Sequence, residues 1–169
     1  MMNRTQDYIA WDAFPFFEYL HSQNRICREK NYKLCRVSSL QGFEDALKNF
    51  QSAPAFLCVA EESDATLNLN NTGHSKFVKT IFFAKRHPVD NMVARSEAMK
   101  ELRVLARQFL SRLVKEKSRI NLGFLYIDNQ VNFSEIPQAF APEFACLYFN
   151  VMVGVYIDLS YKSSEWIED

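Results

Sequence analysis

Glycine is scarce in this sequence, with four residues in 169, and proline is nearly as rare, with five. That scarcity excludes collagen-like sequence and flexible linkers, and leaves almost nothing from which to build a phosphate-cradling loop. GxGxxG, P-loop, GxSxG and HExxH motifs are all missing, which removes the common routes to nucleotide and hydrolase chemistry. The cysteines Cys27, Cys35, Cys58 and Cys146 include no CxxC pair, and none has a histidine at zinc-finger spacing. Excess charge is missing too: 20 Lys plus Arg balance 20 Asp plus Glu. A neutral chain exerts no general pull on nucleic acid or an anionic membrane, and any such contact needs a local patch. Residues 1–12 carry no basic-plus-apolar leader, so the triplets at Asn3, Asn70 and Asn132 are read as chance glycosylation matches and synthesis is expected in a reducing, intracellular place. The longest apolar stretch, 144–159, is shorter than a spanning helix, contains Asn150 and Asp158, and is rich in β-branched residues. It reads as a strand, and no membrane partner is expected.

Apolar residues make up 48% of the chain, with 15 Phe and 7 Tyr, which is ample for a packed core. At this length one domain spanning 1–169 is expected. Residues 11–23 read as a helix starting near Asp12, with Pro15 tolerated in its first turn. A short strand follows at 33–37. Ser38 or Ser39 then caps a second helix carrying Phe43, Leu47 and Phe50 and closed by Pro54.

Strand-like runs at 56–60 and 77–85 flank a segment dominated by Asn, Thr, Asp and Gly, which predicts a β-hairpin with a long, mobile loop over 64–75. His87-Pro88 ends the second of these strands. Residues 91–117 form the clearest helix, with Met99, Leu102, Leu105, Ala106, Phe109, Leu110 and Leu113 on one stripe. Residues 120–133 suggest a strand or two, with Asp128-Asn129 as a turn, and Pro137 and Pro142 mark a loop. In the final strand Leu147, Phe149, Val151, Val153, Val155, Ile157 and Leu159 alternate with Cys146, Tyr148, Asn150, Met152, Gly154, Tyr156 and Asp158. One face belongs to the core and the other is semi-polar, as in a sheet covered on one side. Gly154 is a candidate bulge or bend. The fold class that follows is α+β, an antiparallel or mixed sheet with helices packed on one face and a long hairpin arm.

No catalytic, cofactor or metal residues are assigned. A nucleophile pair of Cys58 with His74 or His87 competes with the simpler role of a small buried hydrophobe, and nothing places a base beside the thiol. Glu61 and Glu62 are adjacent, and neighbours on a strand face opposite ways. A metal site from His21, His74 and His87 needs three distant loops to converge.

Candidate partner surfaces are clearer. Lys100, Arg103 and Arg107 line one flank of the long helix at i, i+3 and i+7. They form either a solvated face paired locally with Glu97 and Glu101, or a surface toward DNA or an acidic partner. The Asn-rich segment, with Asn68, Asn70 and Asn71, and the tail 161–169 are candidates for partner contact, and Trp166 in that tail is expected to dock on its own domain or on a neighbour.

The order of these elements resembles the tail terminator and tail completion (head-tail joining) proteins of long-tailed phages and related contractile systems. The pieces that carry the resemblance are 56–62, 77–86, 93–117 and 147–159. It implies a non-enzymatic ring subunit, commonly hexameric, that caps the tail tube and joins it to the connector. Its partners would be itself, tail-tube and connector proteins, and its place the virion after synthesis in the host cytoplasm. The semi-polar face with Tyr148, Asn150, Met152 and Tyr156 would then be a subunit interface, and the basic helix flank would line a DNA channel. The alternative reading is a small cytoplasmic adaptor of the same layout.

Overall fold

The computed structural model describes residues 12–70, 74–120, 125–156 and 159–167. Helix α1 (Phe14–Gln23) begins where the Asp12 carboxylate accepts the Phe14 amide at 2.9 Å, with Pro15 in the first turn. A short helix α2 (Arg25–Glu29), absent from the sequence reading, is capped by Asn24, whose side chain accepts the Cys27 amide at 3.0 Å. Asn31 then turns the chain at φ 53, a left-handed conformation that asparagine tolerates, into strand β1 (Tyr32–Val37). Helix α3 (Leu40–Asn49) and strand β2 (Ala55–Ala60) follow. Ser39 sits at the N-cap of α3 without a side-chain cap bond, and Phe50 lies beyond the helix with the Lys33 ammonium over its ring.

A three-residue strand β3 (Ala65–Leu67) precedes the long strand β4 (His74–Arg86). Helix α4 (Met92–Ile120) is capped by Asn91, which accepts the Ala94 amide at 2.9 Å, and strands β5 (Leu125–Ile136) and β6 (Phe144–Tyr156) complete the sheet.

Among the described residues the sheet runs β1-β2-β4-β6-β5, with β3 attached to β4. Only β1 and β2 are parallel; the other pairings are antiparallel. The sheet is therefore mixed and the fold α+β. Parallel neighbours need a crossover, and α3 supplies it. For that reason the helices divide between the two faces, which corrects the expectation that they all pack on one. Helices α1, α2 and α4 share a core with Leu57, Ile81, Phe83, Leu147, Phe149 and Val151 on one face. Helix α3 instead packs Phe43, Ala46 and Leu47 on the opposite face, against Phe56, Cys58 and Phe82.

The larger core is knit by aromatic rings. Phe17 of α1 lies 6.4 Å from Phe109 of α4 and 6.2 Å from Phe149 of β6, while Phe83 meets both Phe109 and Phe149 at 5.5 Å. The stripe expected along α4 is the buried one, with Met99, Leu102, Leu105, Ala106, Phe109 and Leu113 all inside.

Two local expectations are corrected. Asp128-Asn129 makes no turn: it belongs to a bulge within β5, where 128–130 lie between the paired positions Ile127/Val153 and Val131/Val151. Gly154 is no bulge either, since it pairs in register with Lys76 and Tyr126.

Candidate functional site

The β6 alternation places Leu147, Phe149, Val151, Val153 and Val155 in the core, and Tyr148, Asn150 and Met152 on the other face, half-buried. Helix α3 and the loop residue Phe140 cover only the β1, β2 and Arg86 side of that face, where Phe43 stacks on Phe82 at 4.6 Å and on Phe140 at 6.0 Å. Beyond them the sheet lacks a helical cover among the described residues. Its surface there is held by cross-strand pairs. Thr80 Oγ1 donates to Asn150 Oδ1 at 2.8 Å, Tyr148 packs against Phe82 at 5.7 Å, and the Tyr126 ring lies on Gly154. At the margin of α3 the face dips into a cleft of ≈ 540 Å³ lined by Ser39, Glu62, Asp64, Thr80, Tyr148 and Asn150. Tyr156 pairs through its backbone with His74 at the far end of β6; its side chain is outside the described residues.

The segment 64–75 is an arm rather than a loop throughout, because Ala65, Thr66 and Leu67 pair with Phe77, Lys76 and Ser75. Every described residue of 64–70 is exposed, and Leu69 reaches 80%. Asn68 Oδ1 accepts the Asn70 amide at 2.9 Å, an Asx-type turn; Asn71 lies outside the described residues. Near the other terminus Ser163–Glu165 form one 3₁₀ turn, on which Trp166 stacks with Tyr161 at 6.4 Å. Trp166 stays 65% exposed and Ile167 99%.

The three basic residues of α4 differ in their engagement. Lys100 pairs with Glu97 at 2.7 Å, as expected, and Arg103 reaches across to Glu135 of β5 at 2.6 Å, while Arg107 is exposed. Glu101 turns inward. It accepts hydrogen bonds from Lys30, from Lys85 at 2.5 Å and from the Tyr32 hydroxyl at 2.9 Å. Burial alone raises its pKa, but the three donors outweigh that and hold the carboxyl below its ordinary range. Residue pattern alone does not show this cluster, because Lys30, Tyr32 and Lys85 stand 71, 69 and 16 positions from Glu101.

The remaining candidate chemistry resolves into packing. Cys58 is fully buried, and its thiol hydrogen-bonds Cys35 on the neighbouring strand; that bond and burial both push its pKa up. Burial raises Cys27 and Cys146 to about 12. His21 Nε2 bonds the Tyr32 carbonyl at 2.7 Å, and His87 is buried with Nδ1 at 2.9 Å from the Pro88 carbonyl. Among the described residues no three His, Cys, Asp or Glu side chains gather at metal-binding distance, and no helix is long and apolar enough to cross a membrane. Sequence reasoning also missed Lys79, whose ammonium lies in the interior, donates to Ser63 Oγ at 2.7 Å and has a pKa lowered by burial. Its period-two position on the apolar face of β4, between Phe77 and Ile81, was the available signal.

Comparison of the sequence with protein-family models and with curated proteins finds no match.

Proposed function

We propose that the protein is a non-enzymatic structural subunit of a phage-like tail or head-tail connector, forming a homo-oligomeric ring that terminates or joins the tail tube. The observation that carries this reading is the divided sheet. One face is covered by three helices, whereas the β4-β6-β5 half of the other presents Thr80, Tyr148, Asn150 and Met152, a mixed polar and aromatic surface of the composition interfaces favour. The exposed β3–β4 arm and the Trp166 turn add two projecting contact elements to the same molecule. A ring closes through a heterologous contact, in which two different surfaces of one subunit meet their complements on its neighbours. Three separate projecting or uncovered surfaces suit that role, and the residues assigned to assembly are Asn68, Asn70, Tyr148, Asn150, Met152 and Trp166.

The role of Lys100, Arg103 and Arg107 is correspondingly limited. With Lys100 and Arg103 engaged by Glu97 and Glu135, Arg107 is the residue best placed to meet DNA or an acidic partner.

Substituting Met152→Arg and Tyr148→Arg together introduces two unpaired charges into the proposed contact face. The doubly substituted chain should keep its circular dichroism and lose assembly. A ring of unchanged mass would remove this face from the interface. The adaptor reading, a monomer or dimer acting through the arm, is favoured instead if assembly never occurs but the arm captures a partner.

A further inference from the structure

Strands β1 and β2 run parallel and in register, so Cys35 stands directly opposite Cys58. Both side chains belong to the smaller core, on the α3 face of the sheet. Register partners on neighbouring strands stand about 4.8 Å apart, inside the Cα window of about 4.4–6.8 Å that a disulfide needs. The thiols are already in contact, because the Cys58 S–H hydrogen-bonds the Cys35 sulfur. That bond lowers the Cys35 pKa, burial opposes it, and the Lys33 ammonium two residues back adds to the lowering. The same bond raises Cys58, which supplies the proton. Cys35 is therefore the nucleophile of the two. It sits on β1, the outermost strand of the sheet among the described residues, and is 9% exposed where Cys58 is fully buried. No other pair is within reach. Cys146 lies on β6 with β4 between it and β2, about twice the strand spacing and beyond the roughly 7 Å limit for a bridge. Cys27 is in the core on the opposite face.

We infer that Cys35 and Cys58 are a peroxide-sensitive dithiol, which closes to a reversible disulfide and clamps the edge strand β1 to β2. The Cys35 thiolate attacks one oxygen of hydrogen peroxide; the O–O bond breaks, and Cys35 becomes a sulfenic acid. The hydroxide that leaves takes up the proton Cys35 had released and becomes water. Cys58 then gives up its proton and attacks the Cys35 sulfur; the S–O bond breaks, and the departing hydroxide takes that proton as a second water. Two thiols and one peroxide thus give one disulfide and two waters, the sulfurs being oxidised and the peroxide oxygens reduced. The loop closed between 35 and 58 contains α3, whose N-terminal end borders the cleft beside Tyr148 and Asn150. The bond therefore ties down the helix that covers this face. Nothing in this chemistry depends on assembly, and a ring or a monomer would carry it alike.

The test treats the reduced full-length protein with a small excess of hydrogen peroxide at pH 8, blocks free thiols with iodoacetamide in denaturant, and maps the digest by mass spectrometry without reductant. One cross-linked peptide pair joining Cys35 to Cys58 is expected, with Cys27 and Cys146 alkylated, and dithiothreitol should return all four thiols. Urea unfolding of the oxidised chain should show a higher midpoint than the reduced chain. In Cys58→Ser the Cys35 sulfenic acid has no resolving thiol, and dimedone should label it at least about tenfold more than Cys27 or Cys146. In Cys35→Ser neither the adduct nor the midpoint shift should appear. The wild-type map decides the matter even if one of these variants fails to fold. Four free thiols after an exposure that oxidises N-acetylcysteine in the same tube would overturn the inference. So would a bond to Cys27 or Cys146, a bond between two chains, or sulfinic acid at Cys35 in place of the disulfide. A disulfide that leaves the urea midpoint unchanged would overturn the clamp.

Discussion

The ring of Tyr126 on β5 lies flat against Gly154, its cross-strand partner on β6, so closely that a Cβ at 154 would stand 2.0 Å from Tyr126 Cε1 and 2.3 Å from Cζ. The glycine is there for room, not for an unusual backbone. Its absence of side chain lets an aromatic ring cover the backbone of the uncovered sheet face. Gly154→Ala must displace the half-exposed Tyr126 ring and should cost about 0.2–1 kcal/mol, the range for a cross-strand side-chain contact. In a Tyr126→Ala background the same change should cost less than half as much. Urea unfolding of the four chains gives the coupling directly.

The aromatic cluster that joins α1 to the sheet sets a second expectation. Phe17 is fully buried between Phe109 and Phe149, so Phe17→Ala removes contacts to α4 and β6 at once. A loss of about 3–5 kcal/mol is expected. Against a typical total of about 5–15 kcal/mol this leaves the variant marginal, and thermal unfolding should show it.

Glu101 gives the molecule a defined acid sensitivity. Its carboxylate is stabilised in the folded state by Lys30, Lys85 and Tyr32, so its folded pKa lies below the unfolded value of about 4.3. The stabilisation is fully present above that value and is lost as pH falls through the folded pKa. Glu101→Gln should lower stability at neutral pH by about 1–3 kcal/mol, the range for hydrogen bonds to a charged group. The difference from wild type should shrink on acidification below about pH 4, as followed by urea titration at several pH values. A difference that stays constant across that range would show that Glu101 acts by packing alone.

Two of the four thiols, Cys27 and Cys146, should be silent in the native state. Cys27 and Cys146 are buried with pKa values near 12, so at pH 8 only a trace of thiolate is present and reagent has no path to it. Mass spectrometry after brief alkylation should find both unmodified in buffer and modified in denaturant. Fast labelling in buffer would mean that this core opens locally.

Much of this was legible from residue pattern alone. The stripe of α4 and the alternation of β6 are long and periodic, and each residue type agrees with its side of the element. The β2–β4 hairpin partners were equally visible, because two apolar runs flank a polar segment. What failed to show depends on distant pairings. Helix α2 is five residues long and amounts to a capped turn fixed by Asn24, too short for periodicity. The bulge at 128–130 mimics a turn in composition, and only the register against Val151 and Val153 separates the two. The parallel β1-β2 pair, which sends α3 to the opposite face, follows from how the crossover packs. Among the candidate surface residues, Tyr148, Asn150 and Met152 share the expected face, while Arg103 is tied to Glu135, 32 positions away.

The central claim is that this chain builds a closed ring, and its mass in solution tests that most directly. Light scattering coupled to size exclusion across a concentration series, alone and with purified tail tubes, should give a discrete assembly of several subunits, or a monomer that becomes one when tubes are added. A strict monomer at every concentration that ignores tail tubes would contradict the account.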